Sequence, residues 1–191
     1  AAAPSDWSDL KREFEAIAPH ASVTIAEVHD GNCDPIARVA PDLILPIASS
    51  FKLYVLGEAA REVSAGQASW DELLPIDPQS ISQPNGEMRY LPIGSEYTLA
   101  YFAEQMISKS DNTATDHLIH RLGREQVESA FAALGQIDPQ ANVPLMLTRE
   151  WFALRMRFTD EEIEAYLAAS DAGKREILEQ VADPIADTIE E

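Results

Sequence analysis

The sequence predicts an α+β fold, predominantly helical, with one antiparallel hairpin near the N-terminus. Three observations carry that prediction. Apolar residues recur at helical spacing along most of the chain, a short alternating stretch straddles an Asp-Gly pair, and no repeat or low-complexity linker divides the 191 residues.

The elements follow in order. Trp7, Leu10, Phe14 and Ile17 recur at helical spacing behind a Ser5-Asp6 cap signal, giving a first amphipathic helix. Val23 and Ile25 alternate, with Val28 beyond, in a short strand. His29-Asp30-Gly31-Asn32 makes a turn, and residues 35–40 return as a second strand. Residues 43–60 are apolar on nearly all sides, which predicts a helix buried in the centre of the domain. Residues 75–97 hold Pro75, Pro78, Pro84, Asn85-Gly86, Pro92 and Gly94 and read as a long irregular loop, a type that is often functional. A helix after Thr98 carries Leu99, Phe102 and Met106 and stops near Ser110. Another runs from Thr113 to Gly123 and a third to Gly135. Thr148 caps a helix whose Trp151, Phe152 and Met156 read as core, not as a cofactor box. Beyond residue 160 the chain turns to short acidic helices, with a capping box at Thr159 and Glu162 and an Asp183-Pro184 helix start. After residue 40 no strand is predicted.

Composition narrows the function. A formal charge of −19 argues against nucleic acid, whose phosphates need a basic patch, and against anionic membrane surfaces. It reads as a solubilising acidic surface. No uncharged apolar run is long enough to span a bilayer. The single Cys33 rules out an intramolecular disulfide and a cysteine-rich zinc site. The opening Ala1-Ala2-Ala3-Pro4 has the small residues of a secretory cleavage site, so a secreted or periplasmic location is expected. A native alanine linker would look the same, and a cytoplasmic location stays open.

The chemistry centres on Ser49 and Lys52. Three residues apart on a helix, they share one face, and the helix amino end offers free N–H groups to a developing oxyanion. Lys52 stands among Ile47, Phe51, Leu53, Val55 and Leu56, where burial favours the neutral amine and makes it a general base. Ser50 is the adjacent alternative, but its spacing points it round the helix. One Ser-x-x-Lys is expected in about every chain of this size, and Ser8 with Lys11 is a decoy on a polar helix. A helix cap beside a snorkelling lysine would explain Ser49 alone. Ser110-Asp111-Asn112 changes the odds. It sits at a break between apolar helices, and such a tripeptide arises by chance in about one chain in thirty. Asp111 can cap the following helix while Ser110 and Asn112 face a cleft.

Together these motifs resemble the class A β-lactamase and penicillin-binding protein superfamily. Residues 46–52, Pro-Ile-Ala-Ser-Ser-Phe-Lys, look like its nucleophile helix, and residues 97–99 with 106–116 look like its second-motif region. Residues 148–152 are similar to a helix that follows in these serine hydrolases. The resemblance covers roughly residues 20–160. It implies a β-lactamase-like fold in which Ser49 is acylated, Lys52 takes its proton and Ser110 passes a proton towards the leaving nitrogen. Asn112 would hold the substrate's amide side chain, and the loop 78–92 would form one rim of the cleft. No cofactor is implied.

The sequence departs from that family twice. No Lys-Thr-Gly or relative follows the second motif, and complete members run further. The resemblance therefore implies one β-lactamase-like domain over 1–191, incomplete at its C-terminus, with a missing C-terminal segment or a second chain completing the sheet. Between Gly135 and Thr148 there is no Glu-x-x-Leu-Asn. Asp138 and Glu150, the acidic residues nearby, have the wrong context for deacylation. The expected function is a serine hydrolase forming an acyl-enzyme on Ser49 and acting on a β-lactam, a D-alanyl peptide or an ester. The alternative is a penicillin-binding or sensor module acylated without efficient turnover. His117 and His120, three apart on a helix, lack an evident third ligand and read as surface or packing residues rather than metal-binding ones. The expected partner is a small-molecule or peptide substrate, with no nucleic acid.

Overall fold

A computed structural model of the chain describes residues 8–181. The Ser5-Asp6 signal, Trp7 and Asp183-Pro184 lie outside the described residues. The chain divides into two compact units between Ala48 and Ser49. The fold is α+β and predominantly helical, as the periodicity predicts.

The first unit holds helix α1 (Ser8–Ile17) and a hairpin of β1 (Val23–His29) and β2 (Asn32–Val39). Asp30 and Gly31 both have positive φ, 51° and 80°, so two residues close the turn and its twist matches that of the strands. The return strand therefore starts at Asn32, three residues before the expected Pro35. A bulge between Ile25 and Ala26 interrupts the ladder close to Pro35, which has no N–H to donate.

A single 3₁₀ turn (Ala48–Phe51), all but its first residue in the second unit, leads into α2 (Lys52–Ser64). This corrects the expected helix over 43–60. Pro46 biases its predecessor away from helical backbone, and Leu43 and Ile44 are exposed. Strands β3 (Leu73–Pro75) and β4 (Glu96–Thr98) pair antiparallel, where the sequence predicts no strand at all. Three residues each are too few to display alternation. Between them runs the irregular loop, with 3₁₀ turns at Pro78–Ser80 and Met88–Tyr90. Helices α3 (Leu99–Ser108), α4 (Asn112–Leu122) and α5 (Arg124–Ala130) follow. The Thr98 hydroxyl caps α3 by accepting the Tyr101 N–H at 3.1 Å. α5 stops five residues short of the expected Gly135.

The centre of this unit is α4, not α2. Asn112 to Ile119 are all buried, together with Leu122, whereas α2 buries only Lys52, Val55, Glu58 and Ala59. The main core gathers Val55, Leu99, Phe102, Met106, Leu118 and Phe131 around α4. Arg121 fastens its far end, bonding Glu72 at 2.6 Å and Glu62 at 3.1 Å.

A smaller apolar cluster joins α6 (Thr148–Arg157), α7 (Asp160–Ala168) and α8 (Asp171–Val181) through Leu154, Tyr166, Leu178 and Val181. Trp151 and Met156 were expected in the core but are 50% and 72% exposed. The inward face of α6 is formed by Ala153 and Leu154 instead, because Thr148, Arg149 and Glu150 are drawn inward by polar partners. The Thr159–Glu162 capping box is present. Among the described residues no helix is long and apolar enough to cross a membrane.

Candidate active site

Ser49 lies in the 3₁₀ turn and is exposed, with the exposed Ser50 beside it. Ala48 before it has φ 45°, a left-handed conformation that costs a side-chain-bearing residue energy. Lys52 opens α2 and is 2% exposed. Residues i and i+3 eclipse one another in a 3₁₀ turn, so Ser49 sits one turn ahead of Lys52 on the same side. Ser110 occupies the break between α3 and α4, also with positive φ (54°), and Asn112 begins α4.

The ammonium of Lys52 joins these elements. Its Nζ donates to the Ser110 carbonyl at 2.7 Å, the Ser110 hydroxyl at 3.1 Å and the Asn112 amide oxygen at 2.8 Å. An ammonium has three protons, and all three are occupied. Among the described residues the Ser49 hydroxyl makes no hydrogen bond, and Lys52, on the same face as the sequence predicts, bonds Ser110 and Asn112 instead. Three of the four residues singled out by the motifs thus converge, and the fourth stands one turn away without a bond.

Asp111 is structural, as expected. Its two oxygens accept the Ala114 N–H that caps α4 and the Met88 N–H of the loop, each at 2.9 Å. Gly86 (φ 101°) lets the loop close over it, since a Cβ there would fall 2.1 Å from the Asp111 carboxylate. The same loop is stitched to the second motif. Asn85 donates to the Ser110 carbonyl at 2.8 Å and accepts the Asn112 N–H at 3.0 Å, and the Asn112 side chain donates to the Gln83 carbonyl at 3.3 Å. This places part of residues 78–92 at the rim of the site.

Sequence reasoning missed the polar layer behind these residues. Asp116, Thr113, Thr148 and Ser82 are all buried and hydrogen-bonded to one another. Each looks like an ordinary helix or loop polar residue, and no local spacing marks them. His117 accepts the Asp77 N–H at 2.9 Å on one ring nitrogen and contacts the Thr113 carbonyl at 2.7 Å with the other. His120 meets the Ser80 hydroxyl at 2.6 Å. Both histidines tie the loop to α4, the packing one of the two roles, surface or packing, that the sequence left open.

Burial lowers the Lys52 pKa to about 8, against the opposing pull of the Asp116 and Asp111 carboxylates. Burial raises Asp116 to about 7, although backbone N–H groups of Arg149 and Thr148 and the Thr148 hydroxyl favour its anion. Burial also raises Glu150, which Arg124 holds at 2.5 Å and the Leu147 N–H at 2.7 Å. The site thus brings together a buried amine lowered to about 8, the Ser110 hydroxyl within its reach and an amide held by the loop.

A family model described as the beta-lactamase enzyme family matches residues 7–183. Among solved structures, a mutant of PBP-A in an acyl-enzyme complex with penicillin G is 27% identical, with a TM-score of 0.57, over 67% of this chain and 50% of that one. A beta-lactamase from Sphaerobacter thermophilus is 27% identical, with a TM-score of 0.57, over 68% of this chain and 49% of that one. A beta-lactamase from Chitinophaga pinensis, at 23% identity, supports the fold alone, with a TM-score of 0.58 over 66% and 47%. No curated protein matches. The chain spans about half the length of the solved relatives it matches.

Proposed function

We propose that this chain, which belongs to the beta-lactamase enzyme family, carries a serine acyl-transfer site with Ser49 as nucleophile, Lys52 as general base and Ser110 as proton shuttle. The observation that carries the reading is the convergence of Ser110 and Asn112 on the buried Lys52 amine. Loss of one Lys52 proton leaves a lone pair on Nζ. That lone pair takes the Ser49 proton as Oγ bonds to the substrate carbonyl carbon and the carbonyl oxygen becomes an oxyanion. The proton then passes from Lys52 through the Ser110 hydroxyl to the leaving nitrogen, or to the leaving oxygen of an ester, and the carbon–nitrogen or carbon–oxygen bond breaks to give the acyl-enzyme. Asn112 keeps its oxygen on Lys52, and its long 3.3 Å bond to Gln83 is the one a substrate carbonyl would replace. The substrates proposed are a β-lactam, a D-alanyl peptide or a simple ester.

One observation favours slow turnover. Glu150 and Asp116, the buried carboxylates behind the site, are both occupied by protein donors and shielded from solvent. Neither is free to activate a water, so a penicillin-binding or sensor role, with an acyl-enzyme that persists, is the second reading. A chromogenic β-lactam separates the two: steady hydrolysis supports an efficient hydrolase, and one stoichiometric burst supports the stable acyl-enzyme. The nucleophile is tested with a fluorophosphonate or β-lactam probe and peptide mapping. Label should fall on Ser49, vanish in Ser49→Ala and persist in Ser50→Ala. Adduct on Ser50, or on neither serine, would remove the assignment.

A further inference from the structure

Asp116 is the one fully buried carboxylate of α4 for which the proposed chemistry has no use. It lies one helical turn beyond Asn112, and residues four apart share a helix face. Its Oδ1 accepts the Thr148 N–H at 2.7 Å and the Thr148 hydroxyl at 2.9 Å, and its Oδ2 accepts the Arg149 N–H at 3.0 Å. Asp116 therefore caps α6 from another helix, in place of the expected Thr148.

The hydroxyls in this layer form a chain with a direction. Thr148 has one proton, and a carboxylate is the strongest acceptor it meets, so the Ser82 hydroxyl, 2.6 Å away, donates to Thr148. Ser82 is in turn latched to α4 twice: its N–H donates to the Thr113 hydroxyl and its carbonyl accepts from it, both at 3.0 Å. The next residue, Gln83, presents the carbonyl that accepts the Asn112 side-chain N–H. With its nitrogen on Gln83, Asn112 must turn its oxygen to Lys52.

Resting on the reading of Lys52 as the base, we infer that Asp116 is a positioning residue. Through Thr148 and Ser82 it fixes the loop that orients Asn112 on Lys52, and its negative charge favours the ammonium form of Lys52. The charged groups facing Lys52 are Asp116 and Asp111, and Asp111 is occupied by the α4 cap and Met88. Around Asp116 stand Glu150, neutralised by Arg124, and Arg149, whose side chain reaches the Gln79 carbonyl. His117, the next residue, has both ring nitrogens engaged. Asp116 is thus the acidic group of this layer held by neutral donors alone, with no cation bonded to it among the described residues.

The two halves of the role separate by mutation. Asp116→Asn keeps the shape and one acceptor oxygen, which can hold the Thr148 link, but removes the charge and the acceptor for the Arg149 N–H; Thr148→Val keeps the charge and removes the hydroxyl link. The ¹³Cε signal of Lys52, titrated by NMR in the full chain, should move its midpoint down by about one pH unit in Asp116→Asn, as expected for removing a nearby buried charge. It should hold within about 0.2 unit in Thr148→Val, while probe labelling of Ser49 slows about tenfold as Asn112 loosens. An unmoved midpoint in Asp116→Asn overturns the inference. Should that variant not fold, the unmodified chain decides: the Asp116 ¹³Cγ signal must show a second inflection at the Lys52 midpoint, and a single inflection overturns the inference. These titrations need no acylation. A chain whose Ser49 takes no label loses the functional reading, and the coupling between Asp116 and Lys52 is still measured.

Discussion

Helices α2 and α4 reverse the places their compositions assign them. Residues 43–60 are apolar on nearly every side, yet the helix there starts only at Lys52 and leaves Leu53 60% exposed. Asn112 to His117 reads Asn-Thr-Ala-Thr-Asp-His, and none of these six residues is more than 5% exposed. The difference lies in polar satisfaction. Buried polar groups are tolerated where each finds a partner, and α4 supplies one for each: Thr115 to the Asp111 carbonyl, Thr113 to Ser82, Asp116 to α6, His117 to Asp77. Lys52 sits where the two helices meet, opening α2 and bonded to the start of α4.

Mutations sharpen the contrast. Asp111→Ala removes the α4 cap and strands the buried Met88 and Ala114 N–H groups, so it should destabilise the chain by roughly 3 kcal/mol in denaturant unfolding. On α2, Val55→Ala should cost roughly 2 kcal/mol at a wholly buried site, and Leu53→Ala within about 0.5 kcal/mol at an exposed one. If Leu53→Ala cost more than Asp111→Ala, the relation drawn between the helices would be wrong.

The hairpin, the helices from Thr98 onward and the Thr159–Glu162 capping box were legible because each depends on spacing within a few residues. So were Lys52, Ser110 and Asn112, whose rare tripeptide pairs with a Ser-x-x-Lys 61 residues upstream. What stayed hidden depends on partners distant along the chain. The burial of α4 rests on bonds to residues 77–88 and 148–149, and Trp151 and Met156 are exposed because polar groups at 148–150 turn α6. Strands β3 and β4 form by pairing across more than twenty residues, which no local pattern reports.

The most direct test of the account is the rate of Ser49 labelling by a fluorophosphonate as a function of pH. On the proposed mechanism the reactive form requires neutral Lys52, and burial lowers its pKa from the ordinary lysine range to about 8, so the neutral fraction grows as pH rises through that value. The account predicts a rate that climbs from pH 6, bends near pH 8 and then levels, with the whole profile reduced at least a hundredfold in Lys52→Ala. A rate that is flat across this range, or still climbing steeply at pH 10, would show that Lys52 is not the base.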